Sequence, residues 1–272
     1  AAELRMHARD LVRNNGWAAK AQRVIANNTT GGWGLTPRAV GPAADAARAL
    51  WTEWADSTAC DADGQLSFSG IQQMVMRAFA TDGEVLIPRL PKDGLPIPLQ
   101  LQVLEVDYLD TAKDGVTGAA GGPIVQGVEF DRIGRRAAYW IFPEHPGSNR
   151  AKAESKRVRA EDVIHVYDVA RPGQIRGVSP FAAGIVPMKD LDEYEDAELM
   201  KQKIAACFAA FVMDPDGSPS PLGAQNATNP MIETIEPGMV HQLAPGQEIA
   251  FGSPPQVTND AFTARSLRRI AA

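Results

Sequence analysis

The chain has 272 residues, of which 44% are apolar and 22% charged, with a formal net charge of −6. This is ordinary globular composition, sufficient for one large domain or two modest ones. It argues against a protein that grips nucleic acid through massed Lys and Arg, and no apolar run approaches the roughly 20 residues that a membrane span requires. The first element in chain order is an amphipathic helix over 2–27. Leu4, Leu11, Val12, Ala18, Ala19 and Ile25 fall near one stripe, Gly16 weakens its middle, and Asn27-Asn28 with Gly31-Gly32 end it. Glu3, Arg5, Arg9, Asp10 and Arg13 recur too often for the apolar core of a signal peptide. A second helix is expected over 43–58 after Pro42, with Leu50, Trp51 and Trp54 as its apolar face. A third, over 68–81, carries Ile71, Met74, Val75, Ala78 and Phe79 and is closed by Asp82-Gly83.

The period then changes. Short β-branched or alternating segments at 85–89, 99–104, 125–130 and 137–142 read as strands between Gly, Pro and Asp turns. Residues 124–142, with Asp131-Arg132-Ile133-Gly134-Arg135 between two strands, read as a hairpin. Residues 147–160 read as a charged surface loop, and the chain returns to the sheet at 163–167. Arg171-Pro172-Gly173 and Gly177 break that strand. Ser179-Pro180 then supplies a hydroxyl cap and a ring preset to helical φ.

A long helix follows, and Pro187 predicts either a kink or a short helix over 180–186 followed by the main one. Dense Pro and Gly over 214–258 mark a small separate unit, with strand candidates at 208–213, 231–235, 240–243 and 248–251. Residues 261–272 begin another helix, with Phe262, Leu267 and Ile270 at helical spacing beside Arg265, Arg268 and Arg269. The sequence stops there without a cap, as a truncated chain would.

Charge placement is more informative than its sum. Residues 1–40 carry six basic and two acidic side chains, whereas 179–200 carry six acidic (Asp190, Asp192, Glu193, Glu195, Asp196, Glu198) and one basic, Lys189. A compact monomeric enzyme has no obvious use for such a helix. Asp192, Glu195 and Glu198 share a face at i, i+3, i+6, but a carboxylate-bridged metal pair calls for Glu-x-x-His on two helices, and this helix has no His.

The other chemical motifs read as ordinary structure. Asp61-Ala62-Asp63-Gly64 places its Gly too early for a calcium loop and lacks the twelfth-position Glu, so it reads as an Asx turn. Gly31-Gly32-Trp33-Gly34 lacks the setting and the Lys of a phosphate loop. His7, His145, His165 and His241 are scattered, and His165 reads as a hydrogen-bonded residue of its strand. Cys60 and Cys207 have no metal spacing and read as two reduced thiols. No catalytic residue, cofactor or metal is expected.

Four segments, in order, resemble the portal proteins of lambda-like tailed bacteriophages. They are Ala8-Arg9-Asp10-Leu11-Val12-Arg13-Asn14-Asn15 with the later Gly31-Gly32-Trp33-Gly34-Leu35; Arg77-Ala78-Phe79-Ala80-Thr81-Asp82-Gly83-Glu84-Val85-Leu86-Ile87; the strand at 163–167 with Gly177-Val178-Ser179-Pro180 and the acidic segment 189–199; and Glu236-Pro237-Gly238 with Leu243-Ala244-Pro245-Gly246-Gln247-Glu248.

The resemblance implies an α+β fold: a wing of helices on a small mixed sheet (1–176), a first stem helix (177–206), a small α/β clip (207–258) and the start of a second stem helix (259–272). The remaining stem, the tunnel loop, the returning wing segment and the crown would lie beyond this sequence. It further implies a ring, commonly of twelve, at one capsid vertex of the virion, assembled in the host cytoplasm, through which double-stranded DNA passes without sequence-specific contact. Asp190, Glu193, Asp196, Lys201 and Lys203 become candidate channel residues, with the two lysines making transient phosphate contacts. Asp214, Asp216, Asn226, Asn229 and Glu233 become candidate clip residues facing the terminase large subunit and later the head-completion or adaptor proteins. Capsid and scaffold proteins are further partners, and no membrane is involved. The competing readings are another ring-forming connector, separable by whether a clip-like unit projects from paired helices, and a metal-dependent hydrolase built on Asp192, Glu195 and Glu198.

Overall fold

The computed structural model describes residues 2–148, 154–206, 210–213, 248–251 and 260–271. The chain forms two compact units, Ala1–Ile185 and Val186–Ala272.

In the first unit, the expected N-terminal helix is two helices, α1 (Ala2–Asn14) and α2 (Gly16–Thr30). The break is at Asn15, whose backbone is extended and whose side-chain oxygen accepts from the N–H groups of Trp17 and Ala18. A short amide side chain that competes for backbone N–H groups favours a cap over a helix interior. The buried stripe shifts accordingly: α1 buries Arg5, Ala8 and Leu11, while Leu4 is exposed. α2 runs past Asn27-Asn28 and ends at Gly31. α3 (Ala44–Ala55) stops short of residue 58, because Ser57 caps a separate 3-10 turn at Thr58–Cys60. Its buried tryptophan is Trp54, which donates from Nε1 to the Leu99 carbonyl at 2.7 Å, whereas Leu50 is exposed. α4 (Phe68–Asp82) is close to expectation, capped by the Ser67 hydroxyl and closed by Gly83 at φ 83.

The strands are β1 (Glu84–Pro91), β2 (Leu99–Leu101), β3 (Gly121–Val125), β4 (Val128–Asp131), β5 (Arg136–Ile141), β6 (Lys156–Arg159) and β7 (Val163–Tyr167). They form two antiparallel sheets, ordered β2-β1-β7 and β3-β4-β5-β6. The expected β4–β5 hairpin is present, its Asp131 carboxylate accepting from the N–H groups of Ile133 and Arg135. Three expectations are corrected. The 125–130 segment is not one strand, because Gln126 (φ 51) and Gly127 (φ 81) make a two-residue left-handed turn between β3 and β4. The 99–104 strand ends at Leu101. The loop at 147–160 contains β6, whose basic residues edge the second sheet, a placement that discourages stray strand pairing.

β1 organises the core because both of its faces are buried. Val85 and Ile87 pack with Trp54, Ile71 and Val75 from α3 and α4, while Leu86 packs with Val128, Tyr139 and Ile141 from the second sheet. Burying a side chain such as Leu86 contributes about 1.5–3 kcal/mol.

Beyond β7, Ser179 caps a 3-10 turn at Pro180–Ala183, and α5 spans Ile185–Ala206. Pro187 therefore falls in the first turn of α5, where an N–H has no intrahelical partner to lose; the short helix expected over 180–186 is a 3-10 turn that ends at Ala183, and the main helix starts before the proline, at Ile185. In the second unit, β8 (Ala210–Met213) pairs antiparallel with β9 (Glu248–Phe251), and α6 spans Asp260–Ala271. Tyr194 of α5 and Phe262 of α6 stack with ring centroids 4.3 Å apart. The strand candidates at 231–235 and 240–243, together with Cys207, lie outside the described residues.

Candidate functional site: converging motifs and an acidic helix

Segments far apart in sequence converge where α1, the α4–β1 junction and the chain after β7 meet. Arg9 binds Asp82 in bidentate fashion, Nε to Oδ1 at 2.8 Å and Nη2 to Oδ2 at 2.6 Å, and also reaches Asp107 at 2.6 Å and Glu105 at 3.2 Å. The hydrogen bond to Asp82 is the main reason that its pKa is raised, and burial opposes it. Arg5 donates to Asp107 at 2.9 Å. Burial pushes the Asp107 carboxyl up, but the hydrogen bond from Arg5 and the charges of both arginines hold it below the usual range.

Glu84 lies behind them, fully buried. Its carboxylate accepts from Arg176 Nε and the Gly177 N–H, each at 2.9 Å, and lies 3.0 Å from His165 Nε2. Burial alone would raise its pKa; the hydrogen bonds from His165 and Arg176, the Arg176 charge and the Gly177 amide together hold it low. Two glycines permit this approach: a Cβ on Gly83 would sit 2.2 Å from the Val178 carbonyl carbon, and one on Gly177 would sit 2.1 Å from the Gly83 oxygen. Ser179 completes the junction by donating to the Ala80 carbonyl at 3.0 Å.

This arrangement holds structure together. A fully buried carboxylate that already accepts from a guanidinium, an amide and an imidazole is fixed in place and closed off from a substrate proton. Glu129 repeats the pattern in the second sheet. It is fully buried and accepts from the Ala120 N–H, Trp140 Nε1 and, bidentately, Arg157.

His165 on β7 is hydrogen-bonded, as its position suggested, with Glu84 of β1 and Arg136 of β5 as its partners. Asp61 is an Asx turn: its carboxylate is buried and accepts from the N–H groups of Asp63, Gln65 and Leu66. Cys60 is free and buried, and burial pushes its thiol pKa up. Sequence reasoning missed Glu84, Arg136 and Arg176 as a group. The available signal was an acid opening an otherwise apolar strand, Glu84-Val85-Leu86-Ile87, where a buried charge demands partners.

Among the described residues, the ligand-type atoms gathered within 4.8 Å of one another belong to Glu105, Asp107 and His145. Arg5 and Arg9 already bring two positive charges there, which disfavours a cation. Asp192, Glu195 and Glu198 form no such group.

On α5, Asp190, Asp192, Glu193, Glu195 and Asp196 are exposed, and Glu198 is half-buried. At about 100° per residue the six acids fall around the whole circumference, at intervals of roughly 40–80°. Leu199 and Met200 are exposed as well. Lys201 is half-buried and pairs with Glu198 at 3.7 Å, and Lys203 is exposed. Asp214, Asp216, Asn226, Asn229 and Glu233 lie outside the described residues.

A probable portal protein of Halomonas phage phiHAP-1 is 31% identical over 98% of this chain and 55% of its own length. Portal protein B of Escherichia phage lambda is 25% identical over 75% of this chain and 42% of its own. The chain thus spans about half the length of the curated relatives it matches. Among solved structures, the neck of an empty GTA particle computed with C6 symmetry superposes with a TM-score of 0.58 at 15% identity, covering 97% of this chain and 67% of that one. The neck of a native GTA particle computed with C12 symmetry gives 0.57 at 16% identity, covering 97% and 66%. At such identities the superpositions establish a shared mixed α/β fold. The family described as phage portal protein, lambda family, matches residues 1–272 from end to end, and the chain belongs to that family.

Proposed function

We propose that this chain forms part of a portal subunit, with a wing at 1–176, a first stem helix at 177–206, a clip at 207–258 and the start of a second stem helix at 259–272. Copies assemble into a ring, commonly of twelve, at one capsid vertex. Double-stranded DNA is packaged and ejected through its lumen.

The observation that carries this reading is the charge distribution on α5. α5 buries Ile185, Met188 and Leu191 along its first two turns, but beyond Leu191 none of its described side chains is buried and acids lie on every side, so neighbouring subunits would hold that stretch. Repeated around a ring, such helices present negative charge to a polyanion, which then slides past without sequence-specific or tight contact. Asp190, Glu193 and Asp196 would face the lumen. Lys203 would touch phosphates more readily than Lys201, whose ammonium is already engaged by Glu198.

Pairing of α5 with α6 through Tyr194 and Phe262 supports a two-helix stem over other ring-forming connectors. The symmetric GTA necks support a cyclic assembly. Trp33, Val40 and Ile133, exposed at 93%, 86% and 72%, supply apolar surface for subunit contacts. Asp214, Asp216, Asn226, Asn229 and Glu233 would dock the terminase large subunit and later the head-completion or adaptor proteins, while outer surfaces meet capsid and scaffold proteins. The subunit would join the virion after assembly in the host cytoplasm, and ATP hydrolysis belongs to the motor.

The test is the mass and symmetry of the full-length protein by light scattering and negative-stain microscopy. Rings with a central hole are expected. A monodisperse monomer across concentrations would overturn the reading.

A further inference from the structure

We propose that His165 is a proton-operated latch: neutral, it locks Arg136 between the two sheets and holds the 174–177 segment in place, and protonated, it expels Arg136 and loosens that segment.

The donor and acceptor roles follow from the partners. Arg136 Nη1 lies 2.9 Å from His165 Nδ1, and a guanidinium can only donate, so Nδ1 is the acceptor. His165 Nε2 then carries the proton and donates to Glu84 at 3.0 Å. The imidazole is therefore neutral, in its Nε2–H form. The groups facing it are Glu84 on β1, Arg136 and Tyr139 on β5, Tyr167 on β7, and Arg176 after β7; Arg5 on α1 approaches Glu84 to 4.0 Å. The side chain of His165 is 2% exposed.

A proton taken from solvent by Nδ1 would point N–H at N–H across 2.9 Å and set two positive charges side by side. The bond from Nε2 to Glu84 survives this change, so the Arg136 side must yield. Arg136 also donates to the Tyr167 hydroxyl and, at 2.8 Å, to the Ile175 carbonyl. Its departure frees the segment from β5, while Arg176 and Gly177 remain on Glu84. An open cavity of about 390 Å³, lined by Gln126, Gln174, Ile175 and Arg176 among others, borders this segment and gives it room to move.

Burial is the first reason that the His165 pKa is lowered, and Arg136 and Arg176 add to it against the opposing pull of Glu84. The folded state thus binds this proton less well than the unfolded state. The latch is fully effective above about pH 6.5 and is lost as the pH falls from there through the lower folded value.

The test is hydrogen–deuterium exchange on the intact protein at pH 7.5 and 5.0, corrected for intrinsic rates. Protection over 168–178 should be partly lost at pH 5.0, while α4 keeps its protection. H165Q should remove the step, because an amide donates to Glu84 and accepts from Arg136 at both pH values. A step that persists in H165Q, or none in the parent protein, overturns the proposal. Should H165Q lose its cooperative thermal transition, nitrogen-15 NMR of the parent imidazole decides instead. Nε2–H resonances at pH 7.5 support the latch, and Nδ1–H or imidazolium resonances overturn it.

Discussion

The two units use negative charge in opposite ways. In the first, Glu84 and Glu129 are fully buried, and each is enclosed by a guanidinium, a backbone amide and a ring N–H. In the second, five of the six acids of α5 face solvent. Buried charges are costly unless fully partnered, so they specify one arrangement of the chain. Exposed charges barely affect folding but sum into a field around the molecule. The same residue types serve as a structural lock in one unit and as a charged surface in the other.

The comparison can be broken most decisively at Glu84. Glu84→Ala would leave Arg176 and His165 buried without their acceptor and should cost about 3–5 kcal/mol in denaturant unfolding. A loss below about 1 kcal/mol, the range of an exposed pair, would mean that the network is not a lock.

Acid should separate the units next. The carboxyls of Glu84 and Glu129 titrate below the ordinary value, because hydrogen bonds and ion pairs outweigh burial. Their contribution is therefore complete above about pH 4.3 and lost as the pH falls through the folded values. Circular dichroism on acid titration should show a cooperative transition in that window, distinct from the milder exchange change that His165 controls. Stability unchanged down to pH 2 would contradict the assignment.

A smaller effect is expected at the α1–α2 break. Asn15→Ala removes the cap on Trp17 and Ala18 and should cost about 1 kcal/mol, measured as a shift in Tm. A stabilising effect would mean that one continuous helix is preferred.

The smallest change in stability belongs to α5. Asp190→Asn, Glu193→Gln and Asp196→Asn together should alter unfolding by no more than about 0.5 kcal/mol per site. The triple variant should nevertheless retain DNA more tightly in low salt. Strong destabilisation with unchanged DNA retention would reverse the contrast drawn between the units.

What the sequence by itself determined is what neighbouring residues decide. β7, β9, nearly all of α4, the Asp61 turn and the Ser179-Pro180 start follow from alternation, helical period, caps and ring geometry, each acting within a few residues. Even some short-range features escaped. The Gln126-Gly127 turn uses a positive φ that Gln rarely adopts, and Asn15 caps α2 inside a stripe that reads as one helix.

The acidic helix was legible as charge in sequence, since counting needs no neighbours. The lock was not, because its pairs are far apart: Arg9 with Asp82 across 73 positions, and Arg176 with Glu84 across 92. Periodicity marks a residue as buried or exposed but carries no record of its partner. Only the folded chain, in which an unpaired buried charge is too costly to keep, could bring Glu84, His165, Arg136 and Arg176 to one point.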